Sequence, residues 1–196
     1  MTRRGALAPL QRSARRSSSG ATFALAFAPL ALAACTTLQP AQPLAGETLS
    51  GRLALRVDAS DGTSAKAFSA AFDLRGDPSA GTLALATPLG STLAQARWSP
   101  TEVVLATPQG TRHFANLDEL TRDALGESVP IEAWFDWLRG RPWPGAPSEA
   151  APELKQGFSQ LGWRVDLASF AAEGTLNATR TAPPPTVTVR IRLDRS

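Results

Sequence analysis

From residue 49 onward the chain places an apolar side chain at every second position, and this period constrains its fold more than any other feature. Leu49, Gly51, Leu53, Leu55 and Val57 alternate with Ser50, Arg52, Ala54 and Arg56. Phe68, Ala70, Phe72 and Leu74 alternate with Ser69, Ala71 and Asp73. Leu83 and Leu85 lie in 81–87, Ala94, Ala96 and Trp98 in the next run, and Val103 and Leu105 in 101–107. Near the end, Val187, Val189, Ile191 and Leu193 alternate with Thr188, Arg190 and Arg192. One buried face and one wet face is the pattern of antiparallel sheets; parallel sheets are buried on both faces. Turn signals separate the runs, among them Asp61-Gly62, Gly76-Asp77-Pro78, Pro88-Leu89-Gly90 and Pro108-Gln109-Gly110. Short connections between successive strands predict a meander, curved or nearly closed so that it covers most of its own edges.

Two short helices interrupt the strands. Asn116 is an N-cap, Leu117, Leu120, Ala124 and Leu125 follow at helical spacing, and Gly126 stops the helix. Pro130 starts the second, which carries Ile131, Trp134, Phe135, Trp137 and Leu138 and ends by Gly140. Its apolar residues divide between two faces, Ile131/Phe135/Leu138 and Trp134/Trp137, where a surface helix needs one. It is therefore pressed between layers, as a core helix or as a lid over a cavity. A Pro-rich loop spans 140–156, and strands resume at Gly157–Gln160, 163–167 and 175–179.

The N-terminus has a different character. Five arginines precede residue 20 and no acidic residue precedes Glu47. The 14 residues from Ala21 to Ala34 are almost wholly apolar, too few for a membrane-spanning helix, which needs about 20. They end in Leu32-Ala33-Ala34-Cys35, which resembles a bacterial lipobox, the signal for acylation of the Cys sulfur, cleavage before it and acylation of its amine. Cys35 is the only cysteine, so no intrachain disulfide forms, and lipidation accounts for the odd thiol of an exported chain. Thr36 follows it where Asp would mark inner-membrane retention, which implies outer-membrane residence. The chain thus divides into a signal peptide over 1–34, a lipidated Cys and flexible tether over 35–48, and one domain over 49–196.

This division reinterprets the charge. The formal +3 sums an export segment of +5 and a remainder with 15 Lys and Arg against 17 Asp and Glu, or −2. A slightly acidic domain argues against nucleic acid as a partner. It also predicts no basic patch for anionic headgroups, so that dealings with membrane and cargo are apolar.

Little else suggests catalysis. There is one histidine, His113, beside a Gly-Thr-Arg turn, and no nucleophile elbow, Walker motif or dinucleotide fingerprint. The residues imply neither cofactor nor metal. One turn is chemically odd. In Thr87-Pro88-Leu89-Gly90, Pro at the second position and Gly at the fourth suit a β-turn with Leu89 third, at a tip where polar residues are the rule. That leucine either folds back onto the sheet or meets acyl chains or bilayer.

These features together resemble the LolB family. The resemblance rests on Cys35, on Gly51-Arg52-Leu53-Ala54-Leu55, on Leu83-Ala84-Leu85-Ala86-Thr87-Pro88-Leu89-Gly90-Ser91-Thr92, on Val129-Pro130-Ile131 leading to Trp137-Leu138-Arg139-Gly140-Arg141-Pro142, and on Gly162-Trp163-Arg164-Val165. It implies an incomplete antiparallel β-barrel with helices over an apolar cavity. It also implies an outer-membrane receptor, not an enzyme, that takes acylated lipoproteins from a LolA-type periplasmic carrier and inserts them into outer-membrane lipid without nucleotide. A monomer is expected. The turn Pro88, Leu89 and Gly90 becomes the membrane-insertion element, and Phe68, Phe72, Trp98, Trp134, Trp137 and Leu138 become candidates for the cavity lining. Two other functions compete: an assembly lipoprotein that binds protein partners through its sheet edge, and a lipoprotein hydrolase with His113 as base.

Overall fold

A computed structural model describes residues 46–60, 62 and 64–194; Cys35, the export segment and the tether up to residue 45 lie outside the described residues. Among the described residues eleven strands make one antiparallel sheet. The first six are β1 (Glu47–Val57), β2 (Lys66–Gly76), β3 (Gly81–Ala86), β4 (Thr92–Ser99), β5 (Glu102–Thr107) and β6 (Gly110–Phe114). The rest are β7 (Ser148–Ala150), β8 (Gly157–Gln160), β9 (Trp163–Asp166), β10 (Thr175–Arg180) and β11 (Val187–Leu193). Their spatial order is β6-β5-β4-β3-β2-β1-β11-β10-β9-β8-β7. Every neighbour in space is thus a neighbour in sequence, except that β1 pairs with β11. The meander turns until first and last strands meet, and it stays open only between β6 and β7. The chain between those two edges holds helices α1 (Leu117–Leu125) and α2 (Ile131–Trp137). This is the incomplete barrel expected.

The period of two explains why the sheet holds. Leu53, Leu55 and Val57 lie opposite Ile191, Val189 and Val187. The row continues through Leu176 and Ala178 on β10 to Val165 and Phe158. All are buried in one core. Burial of each large member stabilises the fold by roughly 1.5–3 kcal/mol relative to leaving it exposed. The alternate residues Arg52, Arg56, Arg190 and Arg192 stay exposed. The described residues therefore carry a continuous core with every strand paired, and a domain of about 150 residues buries enough surface to fold by itself.

Both predicted helices form. The Asn116 side chain accepts from the Glu119 N–H at 2.8 Å, and Glu119 reaches back to the Ala115 N–H at 2.8 Å. Gly126, at φ +85°, ends α1 with its N–H on the Arg122 carbonyl. In α2 every residue but Glu132 is buried. A third helix, α3 (Phe170–Glu173), corrects the count of two: four residues are too few to display a helical period. Strand β6 lacks apolar alternation and β7 lies in the Pro-rich segment, so neither shows in the sequence. Strand β1 begins at Glu47, two residues into the stretch assigned to the tether.

Candidate functional site

The sheet's inner face and the two helices enclose a cavity of about 220 Å³. Leu53 and Leu55 line it from β1, Phe68 from β2, Leu83 and Leu85 from β3, Ala94 and Ala96 from β4, and Leu105 and Thr107 from β5. Leu120, Thr121, Ala124 and Leu125 close it from α1, and Val129, Ile131 and Trp134 from α2 and the segment before it. Among the described residues no charged side chain lines it. Thr121 is already committed, since its Oγ1 donates to the Asp118 carbonyl at 3.2 Å and accepts from the Val129 N–H at 3.1 Å. The space exists because Ala94, Ala96 and Ala124 stand where larger side chains would fill it.

Of the six residues expected to line this cavity, the structure puts Phe68 and Trp134 on its wall. The other four lie elsewhere in the core, and packing gives the reason. Phe72 sits four residues along β2 from Phe68, about 13 Å away at strand rise, opposite Gly51 and Leu85. The Trp98 ring fills the notch left by Gly81, where a Cβ would lie 2.4 Å from the indole, and meets Phe135 edge-on at 6.2 Å. Trp137 turns the other way, edge-on to Phe158 at 6.3 Å and tilted over Trp163 at 6.4 Å. Leu138 is buried at the end of α2. The helix thus serves as lid and core at once: Ile131 and Trp134 line the cavity, while Phe135 and Trp137 pack to either side. This regroups the two apolar faces read from the spacing.

Three polar clusters hold this arrangement, and none is legible as a motif. The Gln160 side chain accepts from the indole N–H of Trp137 at 2.8 Å and the Trp143 N–H at 2.9 Å, and donates to the carbonyls of Trp143 at 2.7 Å and Ala146 at 2.8 Å. One buried amide so uses its full capacity to pin the Pro-rich loop and α2 to β8. The Asp136 carboxylate, 6% exposed, accepts from Arg141 Nε at 2.7 Å. This clasp holds the Trp137-Leu138-Arg139-Gly140-Arg141-Pro142 turn. Arg180 on β10 pairs with Glu127 and lies 5.7 Å over the Trp163 ring, tying the α1–α2 linker to the far half of the sheet. Glu132, the half-buried acid of α2, has its pKa raised by burial; a backbone hydrogen bond opposes the shift and the charge of Asp118 adds to it.

The β3–β4 turn is presented outward. The Gly90 N–H donates to the Thr87 carbonyl at 2.9 Å, and the Thr87 N–H to the Ser91 carbonyl at 2.9 Å. Gly90 sits at φ +86°, the left-handed conformation that closes a three-residue hairpin loop. Leu89, between Pro88 and Gly90, is 95% exposed, the most exposed large apolar residue among those described. It does not fold back. Leu93, where the register of β3 and β4 shifts, is also exposed.

His113 lies on edge strand β6 opposite Val104, 68% exposed, with Nδ1 3.2 Å from Glu102 Oε1. It faces solvent, away from the cavity. The outer face also corrects the charge reading. Pairing of β1 with β11 sets Arg52 directly opposite Arg192, with Arg190 two residues along the same face. Net charge predicts no basic patch, yet the fold assembles one. Among the described residues no helix is long and apolar enough to cross a membrane.

The comparisons agree with this architecture. The family model described as "Outer membrane lipoprotein LolB" matches residues 48–195. This chain belongs to the LolB family. Similar proteins include the outer-membrane lipoprotein LolB of Bordetella parapertussis, 36% identical over 160 residues, which cover 78% of this chain and 80% of that one. The LolB of Bordetella pertussis is 37% identical over 151 residues, covering 73% and 75%. That of Ralstonia nicotianae is 38% identical over 96 residues, covering 47% and 46%. The chain is accordingly an outer-membrane lipoprotein of LolB type and not an enzyme.

Proposed function

We propose that this protein accepts acylated lipoproteins from a LolA-type periplasmic carrier and releases them into the outer membrane, anchored there through Cys35. The observation that carries the reading is the pairing of an uncharged apolar cavity with a single leucine, 95% exposed, at the tip of a rigid turn. The physical problem is the acyl chain. Sixteen carbons exposed to water cost on the order of 12 kcal/mol, at about 0.8 kcal/mol per methylene. Cargo must pass between apolar shelters, and without nucleotide its direction follows rising affinity, with the bilayer last. At about 220 Å³ the cavity is smaller than the roughly 300–1,000 Å³ of ligand pockets, so loading displaces the helices α1 and α2 from the sheet. Leu89 then makes first contact with bilayer or cargo at release.

The test is transfer in two stages. The chain from residue 36 onward, free of lipid, is mixed with a carrier loaded with a lipoprotein; the cargo moves to it. The anchored protein carrying Leu89→Glu takes cargo from the same carrier but leaves it bound at the membrane. Normal insertion by this variant, folded, overturns the role of Leu89. Failure of the soluble chain to take cargo overturns the receptor reading.

A further inference from the structure

The outer face of the sheet carries a feature that the apolar cavity does not explain. Arg52 and Arg192 are directly opposite each other on β1 and β11, with Cβ atoms about 5 Å apart. Arg190 stands two residues from Arg192, about 7 Å along the strand on the same face. All three are exposed, and none joins an ion pair or side-chain hydrogen bond among the described residues. Like charges directly opposite in an antiparallel pair destabilise it. The fold therefore keeps three arginines at a position where their charges oppose it. Glu173 and Asp194 share an adjoining groove with Arg52 and Arg192 but form an ion pair with neither, and Asp73, diagonally across from Arg52 on β2, is taken by Arg75. Arg56, by contrast, is neutralised by Asp58 at 2.8 Å, and Arg75 by Asp73 at 2.6 Å.

The arginines wall a surface groove of about 400 Å³. Its floor is made of small side chains, Ala54, Ser69 and Ala71, and its far wall is Pro88. Pro88 is the residue next to Leu89. The basic groove and the exposed leucine therefore belong to one surface, on the side of the sheet turned away from the helices.

The geometry points to this groove as a docking surface for the phosphate headgroups of anionic phospholipids, which orients the domain so that Leu89 faces the acyl layer. This deepens the proposed function and rests on its assignment of Leu89 to the bilayer. A lipid surface fits better than an acidic protein because of the neighbour: a phosphate layer directly above hydrocarbon matches a basic groove directly beside a bare leucine. Guanidinium groups suit phosphate because they offer planar, paired donors. A single leucine is a weak anchor, and headgroup contacts add affinity near a negatively charged leaflet that salt screens over about 10 Å.

The experiment uses the chain from residue 36 onward, whose domain folds by itself and whose lack of acyl chains leaves weak binding measurable. Its partition is measured by co-sedimentation with vesicles of phosphatidylcholine alone and of phosphatidylcholine mixed with phosphatidylglycerol. Phosphatidylglycerol raises the partition of the unaltered chain, and added salt removes the gain. The variant R52Q/R190Q/R192Q, folded by circular dichroism, loses about a hundredfold of that partition, as expected for three arginines at a charged surface. The variant L89E keeps its response to phosphatidylglycerol while losing binding to both vesicle types in parallel. Equal partition of the triple variant and the unaltered chain overturns the proposal, as does indifference of the unaltered chain to phosphatidylglycerol. A triple variant that binds vesicles normally but no longer takes cargo from the carrier reassigns the groove to that protein and overturns the lipid assignment. If L89E inserts cargo normally while the arginine-dependent partition stands, the reading of Leu89 fails alone.

Discussion

The indole N–H of Trp137 ends 2.8 Å from the side-chain oxygen of Gln160, so that a helix and a strand 23 residues apart share one buried hydrogen bond. The same amide also holds the backbone of Trp143 and Ala146. Gln160→Leu therefore strands several polar groups at once. Each buried polar group left without a partner costs about 1–3 kcal/mol, and partial relaxation brings the sum to about 4 kcal/mol. Urea unfolding checks this: the midpoint falls while the slope holds. Trp137→Phe, which removes one donor, costs less than half as much.

Arg180 and Glu127 form the corresponding link on the other side of the helices. Arg180→Met leaves Glu127 without its partner at a site where that carboxylate is only 19% exposed, and costs about 3 kcal/mol. The double variant R180M/E127Q recovers most of the loss, because no partly buried charge is then left alone. A double-mutant cycle in urea measures the coupling. Hydrogen exchange shows the α1–α2 linker opening faster in R180M.

Glu132 gives stability a pH dependence of predictable sign. Its pKa is raised in the folded protein, so the native state binds more protons than the unfolded one above the ordinary glutamate range. Stability therefore falls as pH rises from about 4.3 through the raised value, and stays lower above it. Glu132→Gln removes this fall. Its unfolding midpoint exceeds that of the unaltered protein near pH 7 and matches it near pH 3.

Filling the cavity separates stability from binding. Ala94 lines it opposite Leu85. Ala94→Leu adds three carbons to an apolar space and raises stability by about 1–2 kcal/mol. Uptake of an apolar fluorescent dye falls more than tenfold in the same variant. Stability rising while dye uptake is unchanged would show that the ligand space lies elsewhere.

Leu89→Glu leaves the fold intact, because a side chain 95% exposed contributes no packing. Its unfolding free energy stays within about 0.5 kcal/mol of the unaltered protein. Any loss of cargo insertion is then a loss of function alone.

Much of the sheet was legible because its signal is local. The alternation in Leu53, Leu55 and Val57 and in Val187, Val189 and Ile191 predicted strands, and each lies in the core. Asn116 and Gly126 marked the ends of α1 for the same reason, since caps act within one turn. The β3–β4 turn was legible as well, because Pro88 and Gly90 dictate it, but whether Leu89 folds back or stands bare was decided only by the structure, where it is exposed. The lining of the cavity was not legible. Trp98 and Phe68 carry similar apolar signals, and only Gly81, opposite Trp98 on β3, draws the indole into the core.

The sequence by itself determined an antiparallel meander, two of the three helices among the described residues and an odd turn, since each is written in residues adjacent along the chain. Tertiary structure alone decided that β1 meets β11. That pairing closes the core, leaves the gap that α1 and α2 cover, and sets Arg52 beside Arg192 across 140 positions of sequence. Net charge sums over residues regardless of place, so a chain of −2 beyond its export segment shows no basic groove until the sheet brings distant strands together.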